Sequence, residues 1–280
     1  VKTHRHGKEL IRTLQEVARQ ARIDAIEMIA RAGSGHPGGS LSCAEILTCL
    51  LFHHARIDPQ NPNDQKRDRI VLSKGHAAPM LYALLARKGY FGAEHLKSLR
   101  LCGSILQGHP DMRKTPGVDM TSGSLGQGLS VAAGMALGAR LDGLDCRAYA
   151  ILGDGEANEG QVWEAALFAA HYRIANLIAI VDHNDLQLDG PCKSVMSHDP
   201  LPDKWSAFGW RVLQADGHSI ADILERLDDA ANGKTPTVLI AKTVKGKGVS
   251  FMENRWEWHG KPISPEERDT AIAELKRGTQ

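Results

Sequence analysis

Asp154 and Asn184 are the residues whose types and spacing pose a chemical question. Asp154 lies between Gly153 and Gly155 in "ILGDGEANEG", where an apolar strand runs into a glycine turn and then a helix. Turns of that form cradle phosphates, because small residues let backbone N–H groups and a helix N-terminus reach the anion. A carboxylate at the centre opposes a bare phosphate. Two unit charges about 4 Å apart repel by roughly 4 kcal/mol at an effective dielectric of about 20. A divalent cation between them reverses the sign, since the metal joins carboxylate to phosphate oxygens. Asn184, thirty positions on in "IVDHNDLQLDG", offers another oxygen ligand. Both residues follow apolar strands, and parallel strands joined by one crossover helix end side by side at the carboxyl edge of the sheet. Asp154 and Asn184 are therefore expected to face one cation carrying a diphosphate. The local alternative is a helix cap at Asp154 and a turn at Asn184.

A dinucleotide-dependent oxidoreductase using NAD(P) is the rival. "GDGEANEG" follows a strand and precedes a helix, and Asp182 closes the next strand as a ribose-binding acid would. The Asp154 carboxylate counts against it. "GSGHPG" (Gly33, Gly35, Gly38) matches G-x-G-x-x-G literally but follows a helix, which is the wrong context for a nucleotide turn. His36, His76 and His259 each sit in a glycine-bearing loop, and His109 lies in "QGHPD". Loop histidines of this kind are candidates for binding and proton transfer. The other histidines, His4, His198 and His218 among them, have no motif around them and are assigned no role. Lys242, Lys245 and Lys247 in "AKTVKGKG" read equally as a phosphate grip or a solvated strand end. The two Trp of "RWEW" are expected to pack around the loop that carries His259.

The elements that must position these residues alternate along the chain. Helical periodicity covers 10–32, 41–52 (capped by Ser40), 80–88, 124–141, 161–172, 220–231 and 265–276. "GSGHPGGS" between the first two helices is too glycine-rich to be helical. Short apolar strands are expected at 69–73, 147–153, 176–182, 210–215 and 237–243. Continuous apolar strands alternating with helices mean an α/β fold with a mostly parallel sheet flanked by helices. No internal repeat or linker divides the chain, so one domain over 1–280 is expected.

Composition narrows the function classes. With 34 basic against 33 acidic residues, the chain has no electrostatic footprint for nucleic acid or an anionic membrane. No apolar run approaches the roughly 20 residues of a membrane span, and no signal peptide is visible. Val1 is not an initiator Met, consistent with a processed start. Five scattered cysteines without a C-x-x-C pair read as reduced and mostly buried, which points to a cytoplasmic protein.

Taken together, "GDGEANEG" followed by "DHNDLQLDG" resembles the thiamine diphosphate motif, a G-D-G that ends in Asn after about thirty residues. "SGHPGGSLS", "VLSKGHAAP", "TSGSLGQGLSVAAGMALG" and "GVSFMENRWEWHGKP" stand in the order of the amino-terminal, diphosphate-binding half of transketolase. Nearly the whole chain is similar to it, and most similar to the smaller subunit of split transketolases. The resemblance implies the thiamine diphosphate-binding fold and transfer of a two-carbon ketol unit from a ketose phosphate to an aldose phosphate.

It also implies site residues. Asp154, Asn184 and the carbonyl of Leu186 would hold Mg²⁺, for which Ca²⁺ can substitute. His76 and Gly155 would contact the diphosphate, with Gly153 and Glu156 in the same turn. The loop of Gly123, Ser124, Leu125 and Gly126 would approach the cofactor rings through its backbone. His36, His259 and His109 would line the substrate channel, and Glu159 would join a carboxylate network between paired active sites. One departure is His183–Asn184, where the family commonly carries an Asn pair; the metal ligand Asn184 is retained. The glutamate that activates the aminopyrimidine belongs, by the resemblance, to a following pyrimidine-binding domain. A separate partner subunit carrying that domain is therefore expected, in a two-plus-two heterotetramer, with this chain silent alone. Recognition of the sugar's phosphate or sulfonate falls largely to that domain, so the sugar stays open. A deoxyxylulose-phosphate synthase-like enzyme, a 2-oxo acid dehydrogenase component and a non-catalytic assembly subunit remain as alternatives, and "SGHPGG" with "WHGKP" favours transketolase.

Overall fold

Helix α1 (Lys8–Ala32) carries the expected stripe, with Leu14, Ala18, Ala21 and Ala25 buried. It stops at Gly33, whose left-handed backbone (φ 62°) returns an N–H to the Ala30 carbonyl. This is a C-cap, so the literal G-x-G-x-x-G match is helix punctuation. The computed structural model describes residues 5–278, which leaves His4 outside the described residues.

The next segment corrects two expectations. Residues of the glycine-rich stretch form a short helix, α2 (Pro37–Ser42), followed by α3 (Ala44–Cys49) and a π-type turn over Leu50–His54. Pro37 takes the first helical position, where its missing N–H costs nothing. Every α2 residue is buried, so packing outweighs the glycines' weak helix propensity. Ser40 is therefore inside a helix and not a cap; its hydroxyl donates to the His36 carbonyl at 2.7 Å.

Strands β1 (Arg69–Leu72), β2 (Ala148–Gly153), β3 (Leu177–His183), β4 (Arg211–Asp216) and β5 (Thr237–Lys242) form a parallel sheet ordered β1-β2-β3-β5-β4. Side chains alternate across it. Tyr149, Ile151, Ile178, Ile180 and Leu239 face a core shared with α1, α3, α4 (Ala78–Lys88), α9 (Ile220–Ala231) and α10 (Pro265–Arg277). Ala148, Ala150, Leu152, Ala179, Val181 and Val238 face a second core, built with α5 (Gln127–Leu141), α6 (Gly160–His171) and α8 (Leu201–Ala207). Burial on both faces makes the strands read as unbroken apolar runs. β4 lies at the edge and is the least buried.

Helix α8 and the single turn α7 (Cys192–Val195) lie in the span after β3, where periodicity predicts no element. All five cysteines are free, and only Cys102 is exposed. Of "RWEW", Trp258 packs against Phe251 as expected, whereas Trp256 is exposed. Among the described residues no helix is long and apolar enough to cross a membrane.

Candidate functional site

Sheet register brings the motifs to one edge. Gly153 pairs with Asp182, so Asp154 emerges beside the His183–Asn184 turn. β1 ends at Leu72 beside β2 and feeds the "SKGH" loop, while Lys242 of β5 pairs with His183 and feeds the "KGKG" loop. Asp154 is buried and its carboxylate does two things. Oδ1 accepts the Gly155 N–H at 2.8 Å, which is the local cap, and Oδ2 accepts the Asp185 N–H at 2.5 Å across the strand ends. Asn184 is also buried, with Oδ1 accepting the Leu186 N–H at 3.2 Å. Asp154, Asn184 and Leu186 all border one cavity of about 550 Å³, together with Gly153, Gly155, His76 and His259.

Of the three lysines, only Lys245 belongs to this cavity. It is buried, and its ammonium donates to the Leu186 carbonyl at 3.1 Å. Burial, reinforced by the charge of Lys74, pulls its pKa down to about 8. Lys242 pairs with Asp185 and Lys247 with Glu253 outside it. Lys74 also lines the cavity, although the sequence gives it no role. Its ammonium is paired with Asp182 and donates to the Gly39 carbonyl at 2.9 Å. Burial alone would lower its pKa, but the Asp182 carboxylate more than reverses this. Asp182 is fully buried and also accepts from Ser42 Oγ at 2.5 Å and from Thr243 Oγ1. It has no freedom to bind a ribose.

Glu156 borders the cavity but spends its carboxylate inside the protein. Oε1 accepts from Ser73 Oγ and from the Gly126 N–H at 2.8 Å, and Oε2 accepts the Gly153 N–H at 3.0 Å. It ties three loops together, which makes it a positioning residue. Burial raises its pKa against those three donors. In the "GSLGQG" loop, Leu125 lines the cavity, Ser124 is exposed, and Gly123 and Gly126 shape the backbone. Gly126 has φ 82°, and a Cβ there would meet Glu159 Cβ and Gln161 Cγ at 2.8 Å.

The four loop histidines meet. Ring centroids are 5.3 Å apart for His36–His76, 5.4 Å for His36–His259, 4.9 Å for His76–His259 and 6.3 Å for His36–His109. Burial, then neighbouring cations, lowers all four: His36 to about 4, His259 to about 3, His76 well below the usual value, and His109 less far. They are neutral imidazoles at pH 7. The Nδ1 atoms of His36 and His259 are buried without a protein partner, as is Ser122 Oγ. Glu159 is exposed on the rim, away from this cluster.

A diphosphate on a hard cation fits this lining. Asp154, Asn184 and Leu186 are oxygen donors of the kind such a cation takes, buried ammonium groups answer the phosphate charge, and unpartnered imidazole nitrogens await a ligand. The sequence matches the family "Transketolase, thiamine diphosphate binding domain" over residues 13–278. The chain belongs to the transketolase family.

Among its relatives is a 6-deoxy-6-sulfo-D-fructose transketolase subunit of Clostridium sp. (strain MSTE9), 48% identical over 94% of this chain and 96% of that one. One of the two subunits of an apulose-4-phosphate transketolase from Phocaeicola vulgatus is 42% identical over 95% and 94%. Human transketolase is 41% identical over 97% of this chain but only 43% of its own length. The Campylobacter jejuni transketolase structure superposes with a TM-score of 0.89 at 33% identity, covering 95% of this chain and 43% of that one. This transketolase-family chain is thus a transferase component whose cofactor is thiamine diphosphate held with a divalent cation. The dinucleotide reading is overturned, by the family match and by the buried Asp182–Lys74 pair.

Proposed function

We propose that this chain is the thiamine diphosphate-binding component of a two-part transketolase, acting as one domain on sugar phosphates in the cytoplasm. A partner subunit carries the pyrimidine-binding domain, in a two-plus-two heterotetramer. Asp154, Asn184 and the Leu186 carbonyl hold Mg²⁺, or Ca²⁺ in its place, and His76 and Gly155 bind the diphosphate. When bound, thiamine diphosphate supplies the carbon nucleophile that opens the ketose carbon–carbon bond. Gly123, Ser124, Leu125 and Gly126 orient the cofactor rings through their backbone, with Gly153 and Glu156 fixing the turn beneath them. His36, His259 and His109, held neutral, donate to or take protons from the substrate's carbonyl and hydroxyl oxygens. Glu159, on the rim, joins carboxylates of the paired subunit. The observation that carries this reading is the buried Asp154 carboxylate bonded to the turn that holds Asn184, beside a cavity edged with neutral histidines. The partner is supported by the two relatives named as subunits, which share nearly the full extent of this chain.

Trp163 borders the cavity, so its fluorescence reports occupancy. Thiamine diphosphate with Mg²⁺ should quench it, EDTA should reverse the quench, and Asp154→Ala should abolish it, while NAD⁺ should have no effect. Cofactor binding that survived both EDTA and Asp154→Ala would remove the metal-bridged site.

A further inference from the structure

Beside the oxygen-lined cavity lies a second group of donors of different chemistry. Asp154, His183, Asp185 and His198 each offer one ligand atom, all within 4.8 Å of one another. His183, Asp185 and His198 do not line the cavity. His198 is 2% exposed, yet both ring nitrogens lack a hydrogen-bond partner. A buried imidazole with two unmet nitrogens calls for an explanation. His198 Nε2 lies 3.8 Å from Asp154 Oδ2, and Asp199 Oδ1 lies 3.7 Å from its Nδ1, where an outer carboxylate steadies a metal-binding histidine. His183 Nε2 approaches Asp185 Oδ1 at 2.8 Å without hydrogen-bond geometry, while Lys242 occupies the other oxygen of Asp185.

We propose that Asp154, His183, Asp185 and His198 form a second cation site, selective for a borderline transition ion of the zinc class, which regulates cofactor binding through the shared Asp154. Two imidazoles with carboxylates suit Zn²⁺ or Co²⁺, whereas Mg²⁺ prefers oxygen alone. A tetrahedral ion with bonds of about 2.0–2.1 Å sets its ligands roughly 3.3 Å apart, so side-chain adjustments of about an ångström close this group. Two cations competing for one carboxylate weaken each other, and the effect is reciprocal. The regulatory half rests on the proposed function; the site itself does not.

The test uses the full chain without cofactor, Co²⁺ as a spectroscopic probe and Zn²⁺ in competition with a chelator. One equivalent of Co²⁺ should give the visible absorption of a nitrogen-ligated ion. His183→Asn and His198→Gln, each checked for folding by circular dichroism, should lose about 10–100-fold in Zn²⁺ affinity. Zn²⁺ should weaken binding of thiamine diphosphate with Mg²⁺ about tenfold in the parent chain and not in His198→Gln. Unchanged Zn²⁺ affinity in the folded variants overturns the site; if His198→Gln does not fold, the partly exposed His183→Asn decides. Cofactor binding without Zn²⁺ binding defeats this proposal alone, and Zn²⁺ binding without cofactor binding defeats the proposed function alone.

Discussion

An ammonium removed from water persists only against a carboxylate, and Lys74 and Asp182 are such a pair under the cavity floor. Lys74→Met would leave Asp182 charged and buried with only the Ser42 and Thr243 hydroxyls. It should cost about 3–5 kcal/mol in urea unfolding, most of it recovered in Lys74→Met/Asp182→Leu. A single variant as stable as the parent would show that the pair is solvated. The histidines set a pH dependence of definite sign. Burial holds His36 at about 4 and His259 at about 3, while unfolded imidazoles titrate near about 6.5. Between those values the unfolded chain binds more protons, so stability rises with pH. Their contribution should be complete above about pH 6.5 and fall away as acid approaches the folded values. Urea midpoints measured from pH 7 down to about 4 should therefore decline, and less steeply in His36→Gln/His259→Gln. Parallel profiles would mean that other groups govern the acid limb.

At the scale of elements, the sheet edge was legible because strands buried on both faces are continuous apolar runs, and parallel pairing follows from the crossovers. The residue pattern alone thus places Asp154 beside Asn184. Lys74 and Asp182 were not legible as a pair: their contact requires the order β1-β2-β3 and a 108-residue separation. His198 escaped because it follows a four-residue helix that no periodicity announces. The α2–α3 break was hidden by glycines that favour a loop unless the segment is wholly buried. Helix α5 offers a controlled comparison of glycines. Gly126, its N-cap, has φ 82° and no room for a Cβ, so Gly126→Ala should destabilise by about 1–3 kcal/mol and weaken cofactor binding. Gly134 and Gly138 lie within α5 with nothing near a would-be Cβ. Replacing either with Ala should stabilise by about 0.5–1 kcal/mol in thermal or urea unfolding. Equal effects at all three positions would contradict the backbone assignment of the loop.

At the scale of the whole molecule, the question is whether this cavity contains everything the reaction needs. Its lining carboxylates among the described residues are Asp154, Glu156 and Glu159. Asp154 is held by two backbone N–H groups and Glu156 by three donors, which leaves neither free to take a proton from an aminopyrimidine. Glu159 is exposed on the rim, where a second chain can reach it. A site with a cation clamp, neutral histidines and no free internal acid can hold the cofactor without activating it. The purified chain should therefore bind thiamine diphosphate with Mg²⁺ but show no ketol transfer, and adding a subunit with a pyrimidine-binding domain should restore turnover. Glu159→Gln should reduce turnover of that assembly more than it weakens cofactor binding, because its carboxylate faces the added chain and not the diphosphate. Full turnover by the isolated chain, followed by aldose release from a ketose phosphate, would show that the acid is already present and the two-component reading is wrong.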